Sequence, residues 1–364
     1  MAIAIPTQQK RAKTKTAVID CDIHNGIARP DALDKYLSKR WQDHHATYGK
    51  RGQYPGMTYP RLHPNAGRDD AWPPTGGPPG SDLPFMQKQL LDEWQIEYGI
   101  LNTLGSGGSI RNAEYSAAIS TAYNEWLIEE WLEPEPRLRA SIVVPYEAPE
   151  LAAQEIERRA SDKRFVQAIL VARTEELLGR RKYWPMYEAA EKHDLPIGIH
   201  FGGTAGWPIT GAGQPSFYFE DHVGMPQAFQ PQIISFIYEG VFERFPNLKI
   251  VLIEGGFAWL PSLMWRMDRS WELMRDEVPH VKKPPSEYLR ENFWITTQPI
   301  EEPPRPHQFH ELLAHLDMND RFLFATDYPH WDFDAPDRAL PSGLPDGLKE
   351  DFLAGNARRF YQLA

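Results

Sequence analysis

The sequence of 364 residues predicts a (β/α)8 barrel built as a single domain. Short apolar runs rich in β-branched residues recur along the whole chain, and helical patterns lie between most of them. Most runs are continuous rather than alternating, as expected for parallel strands that are buried on both faces. Strands that alternate with helices in this way are typical of an eight-stranded α/β barrel.

The predicted strands and helices can be quoted in chain order. The eight strand runs are "TAVIDCDIH", "EYGILNTL", "LRASIVVP", "FVQAILVA", "LPIGIH", "LKIVLIEGG", "NFWITT" and "RFLFATDYP". The helical patterns are "NAEYSAAISTAYNEWLIEEWL", "APELAAQEIERRAS", "YWPMYEAAEKH", "QPQIISFIYEGVFERFP", "LPSLMWRMDRSWELMRDE" and "PDGLKEDFLAGNARRFYQL".

Two segments depart from the alternation, and neither looks like a second domain. Residues 1–16 are polar and basic and are expected to form a short tail before the first strand. Residues 25–83 are rich in Pro, Gly, His and Tyr and are too long for a plain connection. This segment is predicted to be an insertion after strand one that serves as a lid or as an interface.

Composition limits the possible partners and the location. A formal net charge of -11 argues against a nucleic-acid partner or an anionic membrane surface. The single cysteine, Cys21, allows no disulfide within the chain, and no run is apolar enough for a signal peptide or a membrane span. We therefore expect a cytoplasmic protein with a small-molecule substrate. The 12 Trp residues and the Pro-rich insertion favour a homo-oligomer, or a hetero-oligomer with a paralogue.

Ionisable residues follow four of the predicted strands at the edge where barrel active sites lie. They are Asp22 and His24 after strand one, His200 after strand five, Glu254 after strand six and Asp327 after strand eight. One residue separates Asp22 from His24, so both side chains should point to the same face of the strand, into the barrel mouth.

Each of these residues also has an ordinary structural explanation. A histidine at a strand end is often only a satisfied polar group, and an aspartate there often caps the next helix. Together, however, the five predict a metal site with Asp22, His24, His200, Glu254 and Asp327 as ligands. Two imidazoles with carboxylates and no thiolate match zinc, manganese or iron.

Five further residues are candidates for contact with the substrate or for catalysis. His222, in the loop after strand five, could act as an acid or an extra ligand. Arg173, after strand four, could pair with a substrate carboxylate through its planar guanidinium or form a structural ion pair. His330 and Trp331 could line the pocket, and Gln298, after strand seven, could contact the substrate.

Three longer motifs resemble the amidohydrolase superfamily. They are "YWPMYEAAEKHDLPIGIH", "FPNLKIVLIEGGFAWLPSLMWRMD" and "RFLFATDYPHWD". The chain is most similar to the amidohydrolase-related branch that contains aminocarboxymuconate semialdehyde decarboxylase and other nonoxidative decarboxylases. The resemblance implies a metal-dependent barrel enzyme in which His200 and Asp327 match family ligands.

The sequence departs from the family pattern at two positions. The family has His-x-His after strand one, where this chain has Asp22 and His24, and it usually has a histidine where this chain has Glu254. Carboxylates held close together repel each other unless a cation compensates their charge. A dinuclear iron or manganese centre would provide that compensation; alternatively, Glu254 stays outside the ligand set as a general base.

The resemblance and the ligand set together support three hypotheses of function. The first is hydrolysis or nonoxidative decarboxylation of a small organic acid or amide, through a metal-activated water or a metal-bound carboxylate. Asp327 or Glu254 would then move the proton. The second is a monooxygenase that activates oxygen at a dinuclear iron or manganese site on the same barrel. The third is a non-catalytic barrel that serves as a partner subunit.

Overall fold

Eight parallel strands form one sheet in the computed structural model, which describes residues 16–49, 66–104, 108, 110–202, 213 and 215–364. Neighbouring strands follow the order of the chain from β1 to β8. The strands are β1 Val18–Ile23, β2 Ile96–Leu101, β3 Leu138–Val143, β4 Phe165–Val171, β5 Ile197–His200, β6 Ile250–Ile253, β7 Phe293–Thr296 and β8 Phe322–Leu323. Every predicted run overlaps one of them, and the predicted barrel is confirmed.

Backbone hydrogen bonds join the residues after β8 to β1 and bring the sheet round on itself. The Cys21 amide donates to the Phe324 carbonyl at 2.8 Å, and the Asp327 amide donates to the Asp22 carbonyl at 3.1 Å. The His24 amide then donates to the Tyr328 carbonyl at 2.7 Å. The loop after β8 therefore lies directly beside the end of β1.

The helices lie between the strands along the chain, and the longer ones bury apolar side chains against the sheet. They are α1 Lys39–Tyr48, α2 Leu83–Met86, α3 Ala113–Leu127, α4 Pro149–Arg159, α5 Trp184–Lys192, α6 Tyr218–Val223, α7 Pro226–Tyr238, α8 Val241–Arg244, α9 Leu260–Met274, α10 Pro285–Asn292, α11 Pro306–Leu316, α12 Asp346–Glu350 and α13 Asn356–Phe360. Each predicted helical pattern coincides with at least one of these helices.

The structure corrects the helix prediction in two ways. The pattern over residues 230–246 is two helices, because Gly240 adopts a left-handed conformation (φ 77°) between α7 and α8. In addition, the helices α1, α2, α6, α10 and α11 were not predicted. Of these, α10 and α11 begin with a proline in the first turn, where the missing N–H has no helical partner to lose.

Two apolar clusters hold the fold together and leave one edge of the barrel polar. The larger lies between the strands and the outer helices and includes Phe229, Phe236 and Phe322. The smaller joins Ile19, Ile100, Val251 and Trp294 to the C-terminal residues Phe360 and Tyr361. Arg358 of α13 also pairs with Glu97, at the start of β2. The C-terminal segment thus packs at the amino-terminal side of the strands, opposite the predicted site.

The ends of the predicted insertion, residues 25–83, contact the loop after β8. Gly67 pairs with His330 in an isolated antiparallel bridge, and the Arg68 amide donates to the Pro329 carbonyl at 2.9 Å. The Gly26 amide donates to the Gly80 carbonyl at 3.0 Å. Residues 50–65, and all but residue 16 of the predicted tail, lie outside the described residues. The role of the insertion as a lid or an interface stays a prediction.

Among the described residues, none of the helices combines the length and the apolar character needed to cross a membrane. The expectations of a cytoplasmic location and of an oligomer stay predictions.

A close approach of two backbones fixes the loop after β4 against α7. The Leu178 amide donates to Gln232 Oε1 at 2.7 Å, and the Gly179 amide donates to Ser235 Oγ at 3.2 Å. A Cβ atom at Gly179 would lie 2.2 Å from the Ser235 carbonyl oxygen, which is far inside van der Waals contact. Only glycine fits here without a shift of the backbone.

We expect Gly179→Ala to lower the free energy of unfolding by about 1–3 kcal/mol, because backbone cannot move aside as cheaply as a side-chain tip. Urea denaturation followed by tryptophan fluorescence measures this change. Gly347→Ala is the matched control, since a Cβ there meets nothing within 4 Å. Equal stability of Gly179→Ala and the control would contradict the packing described.

Candidate metal centre

Two imidazoles and two carboxylates meet at the carboxyl edge of the barrel. His24 Nε2 lies 3.3 Å from Asp22 Oδ1 and 3.0 Å from Asp327 Oδ1. His200 Nε2 lies 3.2 Å from His24 Nε2 and 3.3 Å from Asp22 Oδ2. All four residues are buried. The structure therefore brings together four of the five predicted ligands.

Glu254, the fifth predicted ligand, adjoins this set. One of its carboxylate oxygens, Oε2, lies 3.2 Å from His200 Nε2, and the residue is 6% exposed. Glu254 also belongs to a second group, with Asp327 and His330, whose ligand atoms lie within 4.8 Å of one another. Asp327 is common to both groups.

The backbone aims the two carboxylates that follow β6 and β8. Glu254 and Asp327 both have φ of 59°, in the left-handed region that non-glycine residues seldom adopt. Such strain persists only where the surrounding structure holds it. For Asp327 the hydrogen bond from its amide to Asp22 does this; for Glu254 the amide donates to Thr296 Oγ1 at 3.0 Å.

Backbone carbonyls orient both imidazoles. His24 Nδ1 lies 2.9 Å from the Asn102 carbonyl oxygen, and His200 Nδ1 lies 2.5 Å from the Phe201 carbonyl oxygen. A carbonyl can only accept, so each Nδ1 carries the proton that it donates. In the neutral imidazoles both Nε2 atoms then turn a lone pair towards the carboxylates, which is the arrangement of metal-binding histidines.

The spacing of these atoms fits a divalent ion. Metal–ligand bonds of about 2.0–2.2 Å place neighbouring ligand atoms roughly 3.0–3.5 Å apart, which matches the separations at His24 and His200. In addition, Asp22 Oδ2 is buried and has no hydrogen-bond partner among the described residues. A buried carboxylate oxygen without a donor is costly, and a cation would remove that cost.

The pKa shifts of the side chains also favour positive charge at this site. Burial and the charges of Asp327 and Asp22 raise the pKa of Glu254 well above its usual value. Burial opposes a charge on His24, but the Asp22 carboxylate outweighs burial and raises the pKa of that imidazole. Burial likewise opposes ionisation of Asp327, but His330 and His24 outweigh it and hold its pKa low. The cluster thus selects positive charge, which either protons or metal ions can supply.

His222, Gln298 and Trp331 lie at the rim of the cluster. His222 Nε2 is 2.9 Å from Asp332 Oδ2, and Gln298 Nε2 is 3.0 Å from the same oxygen and 3.3 Å from Asp327 Oδ2. Trp331 Nε1 donates to the Tyr218 hydroxyl at 3.1 Å, and its side chain is 45% exposed. These predicted residues therefore surround the ligands without joining them.

Arg173 pairs with an aspartate outside the set of candidate ligands, whereas His330 contacts one of those ligands. Arg173 Nη2 donates to Asp221 Oδ1 at 2.6 Å, which is the structural ion pair that the sequence left open. His330 Nδ1 lies 2.7 Å from Asp327 Oδ1, and its ring stacks on the His24 ring with centroids 4.6 Å apart. Substrate contact stays a prediction for both.

A cavity of about 390 Å³ opens beside His24 and His330. Its other lining residues are Asn25, Gly26, Ile27, Pro78, Pro79, Thr103, Leu104, Tyr123 and Pro329. The prolines of the insertion therefore form part of the wall next to the ligands.

The sequence did not single out Asn102, which supports the ligands through two contacts. Its side-chain Nδ2 donates to Asp22 Oδ1 at 2.8 Å, and its backbone carbonyl accepts from His24. Its Oδ1 accepts from Ser141 Oγ and from Gln167 Nε2, and all three residues are fully buried. The only indication of this role in the sequence was that Asn102 is a polar residue at the end of the second strand run.

We expect Asn102→Ala to weaken Mn²⁺ binding by about 10- to 100-fold, because residues that orient metal ligands have effects of that size. Isothermal titration with Mn²⁺ measures the change. Ser141→Ala, which removes only a donor to Asn102, should cause a smaller loss. If Asn102→Ala binds Mn²⁺ as the natural protein does, Asn102 does not orient Asp22.

The known proteins to which this chain is similar include decarboxylases. The curated relatives include gamma-resorcylate decarboxylase of Polaromonas sp. (strain JS666), which is 27% identical over 301 residues and covers 78% of this chain and 88% of that protein. They also include 2-amino-3-carboxymuconate-6-semialdehyde decarboxylase of Dictyostelium discoideum, 28% identical over 190 residues, covering 50% of this chain and 48% of that protein.

Solved structures share the fold at low sequence identity. Dihydroxybenzoic acid decarboxylase of Polaromonas sp. JS666, with bound manganese and the inhibitor 2-nitroresorcinol, matches with a TM-score of 0.67 and 20% identity over 96% of this chain and 97% of that chain. A manganese-bound 5-carboxyvanillate decarboxylase of Novosphingobium aromaticivorans matches with a TM-score of 0.69 and 17% identity over 97% and 99% of the two chains.

The family assignment follows from a match to almost the whole chain. The amidohydrolase family model matches residues 19–363, from β1 to the C-terminal end. The predicted resemblance and the predicted enzyme class, a metal-dependent hydrolase or carboxy-lyase, are confirmed at this level. The chain belongs to the amidohydrolase family.

Proposed function

We propose that the protein is a metal-dependent nonoxidative decarboxylase of a hydroxylated aromatic carboxylic acid. One observation carries the proposal: the buried ligands Asp22, His24, His200 and Asp327, with an unpartnered carboxylate oxygen, adjoin a cavity of about 390 Å³. The relatives that act on dihydroxybenzoates and on carboxyvanillate support the substrate class.

A divalent ion at this site would supply positive charge for the substrate carboxylate and the neighbouring hydroxyl oxygen. Manganese is the ion in two of the similar structures, and zinc or iron would also suit two imidazoles with carboxylates. The chain's own part is to hold the ring: Tyr123 and the prolines at residues 78, 79 and 329 give the cavity an apolar wall.

The reaction needs a proton at the ring carbon that carries the carboxylate. When that carbon is protonated, the bond to the carboxylate breaks, its electron pair returns to the ring and CO2 leaves. Three groups at the site could hold such a proton. Glu254 could do so because burial and the charges of Asp327 and Asp22 raise its pKa, which favours the protonated form. His222 could do so while Asp332 orients its imidazole, and Asp327 is the third.

The sequence also suggested three alternatives to decarboxylation: hydrolysis, oxygenation and a non-catalytic role. Hydrolysis of a small amide could use the same ligands. The second ligand group, Glu254 with Asp327 and His330, is the observation that favours a dinuclear iron or manganese monooxygenase. The relatives named above are decarboxylases, and none of them is an oxygenase. A non-catalytic subunit would be inactive without a paralogue.

The proposal predicts that purified protein loaded with Mn²⁺ converts 2,6-dihydroxybenzoate to resorcinol and CO2 under nitrogen. Removal of the ion by chelation, or His24→Ala, should lower the rate by at least about 10³-fold, since a metal contributes several kcal/mol to such a step. Loss of substrate absorbance and released CO2 are the measurements. His307→Ala, at an exposed position on α11, is the matched control.

Full activity in chelated protein would contradict the proposal. A reaction that proceeds only in air and consumes one O2 for each product would instead support the oxygenase alternative.

A further inference from the structure

We propose that Asn25 selects the substrate by donating a hydrogen bond from its side-chain Nδ2 atom to an oxygen substituent of the aromatic ring. This oxygen is a further one, beyond the carboxylate and the neighbouring hydroxyl that the ion would hold. The inference rests on the proposed function and deepens it, because it adds a recognition contact for the substrate that the chain itself provides.

Asn25 lies in the wall of the cavity beside the metal centre. It directly follows His24 in the chain, both residues line the cavity of about 390 Å³, and Asn25 is 6% exposed. The backbone is fixed on both sides of Asn25. The His24 amide donates to the Tyr328 carbonyl at 2.7 Å, and the Gly26 amide donates to the Gly80 carbonyl at 3.0 Å. The place of Asn25 in the wall is therefore set by backbone contacts.

Thr103 determines which end of the Asn25 amide is free. The Thr103 hydroxyl oxygen, Oγ1, donates to Asn25 Oδ1 at 2.7 Å, and Thr103 is 1% exposed. This contact occupies the accepting end of the amide and leaves the N–H bonds of Nδ2, which can only donate. Nδ2 is buried and has no hydrogen-bond partner among the described residues. A buried donor without an acceptor is costly, so a ligand that supplies an acceptor is favoured.

The other buried side-chain amides show that a free nitrogen is unusual in this protein. In the described part of the chain, each of them donates from its nitrogen to an oxygen of the protein. Asn102 Nδ2 donates to Asp22 Oδ1 at 2.8 Å. Asn292 Nδ2 donates to the Leu248 carbonyl at 2.9 Å. The others that donate in this way are Asn124, Gln167, Gln232, Gln298 and Asn356. Asn25 is the exception, and it lines the cavity.

The composition of the wall determines the kind of acceptor. Apart from the two histidines and Tyr123, the polar side chains among the described lining residues are Asn25 and Thr103. Neither of them carries a charge, and the rest of the wall is proline, aliphatic side chains and glycine. A second carboxylate would be buried there without a cation, which is costly. A neutral oxygen such as a phenol hydroxyl accepts from Nδ2 without that cost.

A hydrogen bond at this place distinguishes one substrate from another. A ring that carries the further oxygen pairs with Nδ2, whereas a ring with hydrogen at that position leaves Nδ2 buried and unpaired. The carboxylate and the adjacent hydroxyl are common to both rings, so contacts with those groups do not distinguish them. We therefore expect Asn25 to favour dihydroxylated over monohydroxylated aromatic acids.

Binding of two unreactive ligands tests the proposal without relying on turnover. The inhibitor 2-nitroresorcinol, which the similar manganese-bound decarboxylase holds, carries a hydroxyl on each side of its nitro group, and 2-nitrophenol lacks one of them. Isothermal titration of the full chain loaded with Mn²⁺ measures both dissociation constants. We expect the natural protein to bind 2-nitroresorcinol about 10-fold more tightly than 2-nitrophenol, and Asn25→Ala to bind the two within about 2-fold of each other.

Asn247→Ala is the matched control, because Asn247 is exposed, precedes β6 and does not line the cavity. It should keep the preference of the natural protein. Retained Mn²⁺ binding shows that Asn25→Ala is folded. Thr103→Val is a second variant should it not be. It removes the hydroxyl that orients the amide and should lose part of the preference, whereas Thr103→Ser should keep it.

The outcomes separate this inference from the proposed function. If Asn25→Ala weakens both ligands equally, or neither of them, Asn25 does not bind the further oxygen. If the natural protein shows no preference, Nδ2 pairs with water only, and the inference is also wrong. In each case the proposed function stands as long as the natural protein decarboxylates 2,6-dihydroxybenzoate. Failure of that reaction, together with failure to bind either ligand, overturns both.

Discussion

The hydrogen bond from the Asp327 amide to the Asp22 carbonyl is the contact on which the site depends. It joins the loop after the last strand to the first strand, so residues far apart in sequence become neighbours. Because it acts between backbones, it fixes the separation of the two carboxylates whatever their side chains bind. The left-handed backbone at Asp327 then turns its carboxylate towards His24.

The closed edge concentrates negative charge on buried side chains. Three carboxylates converge there. Asn102 donates to one oxygen of Asp22 and Gln298 to one oxygen of Asp327, while Asp22 Oδ2 has no hydrogen-bond partner among the described residues. An arrangement of this kind is unstable without positive charge. Cation binding is therefore a property of the fold at this edge, and the chemistry depends on how many cations the edge holds.

Much of the fold could be predicted from sequence because its signal is local. Buried parallel strands require continuous apolar runs, and all eight were visible. The candidate ligands were visible too, since each lies at the end of such a run. Asn102 escaped notice because its role depends on contacts to Asp22 and to Ser141, which belong to different strands. The periodicity of apolar residues in a sequence does not indicate contacts between side chains of different strands.

The break at Gly240 and the strain at Glu254 were missed for different reasons. A glycine within a helical pattern is tolerated often enough that its left-handed conformation could not be predicted. A glutamate gives no hint of positive φ, because most glutamates never adopt it. That conformation depends on the Thr296 hydroxyl, which accepts from the Glu254 amide across the barrel edge. Such features follow from tertiary contacts and not from propensity.

In this geometry the two departures from the family pattern have the same physical consequence. Asp22 and Glu254 replace neutral imidazoles with carboxylates, so they add two negative charges to one buried edge. Two charges are the charge of one divalent cation. Buried carboxylates this close together need positive charge beside them, so the same two departures favour a cation at this edge.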